Sequence, residues 1–499
     1  MTAPSEGIRL PEDRAGRTIW VLVFAGIVTT LMSTLVIPLL GELPAILGTS
    51  PANASWVVTV TLLAGAVATP VTGRLGDMYG ARRILLLCTI PLIVGSFVCA
   101  MSSSLWPMLI GRALQGAGFG IVPLGISALR SLVPPERLGS AIALMSSSLG
   151  IGGALGLPVA AIVAQTTSWR MLFWGVGILS VVMTLLIAWF VREAPVRETR
   201  GRFDGFGAVG LAVALVCLLL AVSKGGDWGW TAVTTVTLFV VSLVVFLGWG
   251  RWELRTGSPL VDLRVAMGNR VLVTNIVTIL IGFSMYFQAL LVPQIRLLPE
   301  STGYGLGQSM IVMGLWCAPA GLLMMAISPL GARLTTLRGP RTTLCTGCLM
   351  MAVAYGSSVV LMGSTWGLLV ITCSIAAGIG LAYGAIPTLL MGAVPRTEVS
   401  SANSVNTLLR SLGGTVSAAV AGVVLAQMSV AFAGNLIPTE NGFLVGMLIG
   451  GASALLAALA TVGIRGEQPS VPGTPPVAGP VLSQPDTAPR PAATDRVVG

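Results

Sequence analysis

The chain has 499 residues, of which 54% are hydrophobic and 9% charged, with a mean hydropathy of +0.90 and a formal net charge of +10. An average soluble protein carries roughly 25% charged residues, so this composition excludes a soluble domain and implies a surface that faces hydrocarbon, where only helices or a closed barrel satisfy the backbone. The basic residues are scattered singly through short loops, without the continuous patch that nucleic acid needs, so no nucleic-acid partner is expected.

In chain order, Arg9, Arg14 and Arg17 precede an apolar run over 18–40. The run is too long for a signal-peptide core and lacks a small-residue cleavage site, so it reads as the first membrane helix. Further apolar windows fall at 56–74, 84–101, 106–131, 139–165 and 169–191, then, after a charged linker, at 205–223 and 231–250. Six more follow at 271–292, 309–328, 342–362, 367–393, 402–427 and 442–464. Each is about 20 residues long without period-2 alternation, which selects helices over barrel strands. The tail over 465–499, rich in Pro, Ala and Thr without an apolar period, reads as disordered.

Fourteen spans can be tested against charge, because basic loops gather on the cytoplasmic side. With both termini cytoplasmic, all of the 28 lysines and arginines fall on that side except Arg170, Lys224 and Arg296 outside and Arg112 and Arg410 within spans. An odd count would scramble this alternation.

The chain also repeats. VPPERLGSAIALMSSSLGIGG from Val133 matches VPRTEVSSANSVNTLLRSLGG from Val394, an offset of 261, and GRLGDMYGARR from Gly73 aligns with ARLTTLRGPR from Ala332 at 259. The second match pairs Arg74 with Arg333, Gly80 with Gly339 and Arg82 with Arg341. Both segments keep their orientation, so the repeat is parallel. Six helices need roughly 190 residues, and the larger offset leaves room for two more. The expected plan is 6+2+6: a cytoplasmic segment over 1–17, a six-helix bundle over 18–191, linkers and two inserted helices over 192–270, a second six-helix bundle over 271–464, and the tail. The substrate path is expected between the halves.

All seven cysteines, among them Cys345 and Cys348, lie in or beside apolar runs and read as small buried hydrophobes, and there is no histidine. Metal ligation by histidine and His-dependent nucleophilic catalysis are thereby excluded. No metal, cofactor, catalytic residue or enzyme activity is expected.

The loop from Gly73 to Arg83 (GRLGDMYGARR) resembles the signature between helices 2 and 3 of the major facilitator superfamily. Gly73 permits close helix approach, Gly80 a tight turn, and Asp77 a cap or ion pair. The resemblance implies a cytoplasmic latch of Gly73, Asp77, Gly80, Arg82 and Arg83, formed in the outward-open state and broken in the inward-open one. Arg112 heads RALQGAGFG, which resembles the family's Arg-x-x-x-Gln/Gly-Gly motif, with Gln115 beside it. Entering at Trp106, the chain carries Arg112 about 9 Å into the membrane, where a charge is expensive and usually functional. Gly152, Gly153, Gly156 and Pro158 resemble the exporter motif of helix 5, although Leu157 intervenes and Ala160 and Ala161 replace its final glycines. Trp169, Arg170 and Phe173 match Trp-Arg-x-x-Phe, and GGDWGW resembles the outer turn of the fourteen-helix drug:proton antiporters. The resemblance covers almost the whole chain before the tail.

Proton-driven exporters of this family use a carboxylate in helix 1. Here Met32, Ser33 and Thr34 occupy that stretch, and the nearest acids are Glu42, Asp77 and Asp227. Glu42 or Asp77 is therefore the expected proton-coupling group, with Arg112 a partner for Glu42. Asn403, Asn406 and Arg410 share one helix face and, with Tyr286, Gln288, Met145, Gln115, Gly156 and Pro158, are candidates for the transport path. The resemblance implies a monomer in the inner membrane of a bacterium. It implies export of amphipathic or cationic small molecules, antibiotics included, by alternating access in exchange for protons. Alternatives are export of one endogenous metabolite or lipid precursor, with or without proton coupling, and, remotely, a nontransporting receptor.

Overall fold

The computed structural model describes residues 12–36, 39, 43–49, 51–54, 56–193, 203–257, 259–394, 399–432 and 435–463. Glu42 and the tail lie outside them.

Among the described residues, fourteen helices are long and apolar enough to cross a membrane. The first half comprises α1 (Glu12–Thr34), α2 (Trp56–Tyr79), α3 (Ala81–Met101), α4 (Leu105–Leu132), α5 (Pro135–Thr166) and α6 (Arg170–Phe190). Two helices follow, α7 (Gly205–Trp228) and α8 (Val233–Glu253). The rest are α9 (Asn269–Leu297), α10 (Met310–Arg338), α11 (Pro340–Leu361), α12 (Thr365–Met391), α13 (Val399–Gln427) and α14 (Glu440–Val462).

Several boundaries differ from the hydropathy reading. Helix α1 stops at Thr34 and not at 40, four residues before Pro38, which lacks the N–H a further turn would need. Helix α10 runs through Pro319 and Pro329 to Arg338, ten residues past the expected end, as membrane helices tolerate proline where protein packs around the freed backbone. Helix α4 is interrupted at Gly118–Gly120, where added Cβ atoms would strike Leu92 and Thr72. An antiparallel hairpin, β1 (Ser429–Phe432) and β2 (Asn435–Pro438), joins α13 to α14 and adds a short strand pair to an otherwise helical chain.

Side chains fix four helix starts. Asp204, Ser309, Ser364 and Thr439 accept hydrogen bonds from the backbone N–H of Gly207, Val312, Gly367 and Gly442. One hydrophobic core draws on residues between Ala15 and Val191, and a second on residues between Val271 and Ala458. A third, smaller cluster joins Leu63 and Ala66 of α2, Leu211, Leu215 and Leu219 of α7 and Leu408 of α13. Helix α7 thus packs over the line where α2 meets α13. Helix α8 leans on α7 and turns Val233, Val240, Val244 and Leu247 outward, as a helix bathed in lipid should. Trp106, Trp189 and Trp366 are exposed at span ends, where amphipathic rings suit the bilayer interface.

The repeat is visible in detail. Gly80 (φ 95°) and Gly339 (φ 86°) make the α2–α3 and α10–α11 turns, in a region of φ that costs glycine nothing. The Arg82 guanidinium donates to the Ala188 carbonyl near the end of α6 (2.8 Å), and Arg341 makes the same bond to Val462 at the end of α14 (3.0 Å).

Candidate functional site

Two helix pairs carry most of the contact between the halves, and the repeat relates them: α2 with α13, and α5 with α10. Along the second pair, Ser147 meets Ser328 through their hydroxyls, while Gly150 lies against Met324, Ala154 against Gly321 and Pro158 against Gly314. These positions on α5 recur every three or four residues and form one face. Gly152 and Gly156 lie on another, where a Cβ would strike the Ile27 carbonyl or the Thr34 hydroxyl of α1. Small residues let α5 approach α1 and α10 at once.

The α2–α13 pair adds charge to close packing. A Cβ on Gly73 would lie 2.1 Å from the Ser404 hydroxyl and 3.0 Å from the Ser400 carbonyl. One turn on, Asp77 Oδ1 accepts from the Ser400 N–H (3.0 Å), and Oδ2 accepts from the Ser401 N–H (2.8 Å) and hydroxyl (2.7 Å). A carboxylate from one half therefore caps the N-terminus of a helix in the other, satisfying donors that have no partner within their own helix. Hydrogen bonds to a charged group are worth about 1.5–3 kcal/mol each, so these contacts are a substantial part of what joins α2 to α13. The repeat places Thr336 where Asp77 would recur, and its hydroxyl bonds the Arg333 carbonyl of its own helix. Among the described residues, the charged cap exists on one pair alone.

The other residues of that loop serve their own half. Arg83 pairs with Glu193, and Arg82 holds the end of α6 as described. Arg130, at the end of α4, reaches the Met391 carbonyl across the halves at 3.5 Å.

Arg112 is buried, donating to the carbonyls of Val57 (3.1 Å) and Met32 (3.2 Å) and to Gln115 Oε1 (2.8 Å). Gln115 passes the network to the Ser96 hydroxyl at 2.9 Å. Arg112 thereby ties α4 to α1 and α2. Its suggested partner Glu42 lies outside the described residues. Met145 is buried in the first core with its methyl against Gly125.

In the second half, the Asn406 amide bridges α13 to α9, donating to Asn275 Oδ1 (3.1 Å) and the Thr278 hydroxyl (2.8 Å), while Asn403 bonds the Val399 carbonyl of its own helix (2.9 Å). Tyr286 and Gln288 are both half-buried, but residues two apart project to different sides of α9. Tyr286 packs on Gly414, one turn of α13 beyond Arg410. Arg410 itself stacks over the Tyr383 ring of α12 at 5.1 Å.

Residue types alone gave no sign of Ser400, Ser401 or Ser404, because the donors used are mostly main-chain N–H groups that any sequence supplies. Their alignment with the start of α5 was the available signal. Tyr383 and Arg296 were missed as well.

A family model described as Major Facilitator Superfamily matches residues 22–418. The chain belongs to the Major Facilitator Superfamily. Among relatives in this superfamily, it is 29% identical over 81% of its length to the probable multidrug resistance protein EmrY of Escherichia coli, covering 80% of that protein. It is 24% identical over 81% of its length to multidrug resistance protein 3 of Bacillus subtilis, 78% of which it covers. Against the multidrug export protein EmrB of Escherichia coli the figures are 26%, 75% and 73%. Solved structures with the same superfamily fold include the proton:xylose symporter XylE (TM-score 0.63, 15% identity, 90% of this chain and 95% of that one) and the human organic anion transporter MFSD10 (0.61, 16%, 91% and 100%). The protein is a multi-pass transporter of the inner membrane.

Proposed function

We propose that the chain exports small amphipathic molecules, antibiotics among them, across a bacterial inner membrane by alternating access in exchange for protons, as a monomer without catalytic activity. Both termini and the α2–α3 turn then lie in the cytoplasm, and the conformation described, sealed on that side, is the one open outward. The observation that carries the reading is the Asp77 carboxylate capping α13 across the two halves. A bond of that kind, present on one face and made of parts that belong to different bundles, suits a device that must break and reform each cycle. The relatives named for multidrug resistance and export support the cargo class.

Expression in an efflux-deficient host, with and without an uncoupler, tests the reading through a susceptibility panel. Protection that the uncoupler abolishes is expected, and a panel in which no compound changes would overturn export of drugs. For the proton, Glu42 and Asp77 remain the candidates. Transport in vesicles should lose its dependence on a proton gradient in Glu42→Gln or Asp77→Asn, and full dependence in both would exclude them.

A further inference from the structure

Arg410 lies about 16 Å along α13 from its start at the basic face, deep in the span, and its side chain is half-buried. A charge at that depth normally faces a partner or a water-filled cavity. Among the described residues the one ion pair is Arg83–Glu193 at the basic face, and the Asp77 carboxylate is taken up by Ser400 and Ser401. What surrounds the Arg410 guanidinium is aromatic: the Tyr383 ring lies beneath it, and the Tyr286 ring packs on Gly414, one turn along α13. The Tyr383 hydroxyl touches the Met285 sulfur at 3.2 Å, and Phe283 and Met285, both half-buried, continue the wall.

A second cation stands farther along the same half. Arg296, near the outer end of α9, is fully buried, yet its Nε and Nη2 have no hydrogen-bond partner. Only Nη1 reaches Gln308, at 3.4 Å, and the guanidinium lies 5.7 Å from the Trp316 ring. Tyr286 and Arg296 are about 15 Å apart along α9. Arg112 differs from both, because three acceptors occupy its donors.

We infer that the exported solute carries an anionic group, held by the Arg410 guanidinium between Tyr383 and Tyr286, and that Arg296 is the second positive charge such a solute meets on its way out. The inference rests on the export reading and names its substrate class. A guanidinium offers planar, paired donors that match a carboxylate, phosphate or sulfonate. The phenols offer further donors, and the Met285 and Phe283 wall accepts an apolar body. A cationic solute would instead have to pass two arginines.

Two xanthene dyes of opposite charge, carboxyfluorescein and rhodamine 6G, decide it in cells of the efflux-deficient host expressing the full chain. Carboxyfluorescein is expected to leave faster than from cells without the protein, and rhodamine 6G at the background rate. Compounds protected in the susceptibility panel should likewise be anions at neutral pH. Arg410→Gln should slow carboxyfluorescein efflux roughly tenfold or more, Arg410→Lys should retain part of it, and Arg296→Gln should slow it too. Export of rhodamine 6G and protection against cations, undiminished in Arg410→Gln, would overturn the anion assignment and leave export standing. A flat panel with neither dye moving would overturn both.

Discussion

Asp77→Asn keeps the shape of the side chain but turns one acceptor oxygen into a donor that faces the N–H groups of Ser400 and Ser401. Export by the variant is predicted to fall roughly tenfold or more, with the chain still reaching the membrane, as efflux rates normalised to membrane-embedded protein will show. Gly73 is tested through its neighbour. In Gly73→Ala the new methyl meets the Ser404 hydroxyl and Cβ, the latter at 2.6 Å, and the Ser404 backbone is fixed within α13. Overpacking of this kind costs about 1–3 kcal/mol, expected as a lowered unfolding temperature and weakened export. Adding Ser404→Gly should restore much of both. No recovery would mean that the α2–α13 approach is not what Gly73 serves.

At the level of elements, α5 carries two small-residue faces, and α10 answers one of them. Gly321→Val would bring a branched side chain against the Ala154 methyl and the Gly150 carbonyl, at 2.4 and 2.7 Å from the first added carbon. Backbone cannot yield as a flexible side chain can, so the variant is predicted to lower the unfolding temperature. Gly175→Val on α6, where no atom lies within 4 Å, should leave it nearly unchanged. Helix α7 offers a separate test. Asp204 caps it through the Gly207 N–H and also accepts from the Trp252 indole of α8 at 2.9 Å. Losing a cap costs about 0.5–2 kcal/mol, and Asp204→Ala should show that loss in thermal unfolding of the purified protein.

The spans were legible because a helix facing lipid needs about 20 apolar residues, a local demand written into consecutive positions. The offset between the two repeats led to the inserted pair α7 and α8 in the same way. Ends were read less well where a helix outlasts its apolar window: α10 continues through Pro329 to Arg338, past the window that closed at 328. The candidate site was legible only in part. The loop around Asp77 could be picked out by its residue types, whereas the receiving end consists of N–H groups on Ser400 and Ser401, more than three hundred residues away. The stacking of Arg410 on Tyr383 is likewise a product of tertiary packing.

Across the whole molecule, two bundles related by a parallel repeat are joined by two related seams, and one carries a charged cap. Under the proposed export cycle, that asymmetry gives the switching role to the α2–α13 seam and leaves the uncharged α5–α10 seam as the packed surface on which the halves rock. The most direct test is a distance across the basic face, between spin labels at Tyr79 near the turn after α2 and Leu337 at the end of α10, both exposed. Pulsed electron resonance on the full chain, with its native cysteines replaced, should give a single short distance in the resting protein. A second, longer population should appear in Asp77→Asn. One unchanged distance in both proteins would contradict the claim that the Asp77 cap holds the two halves together.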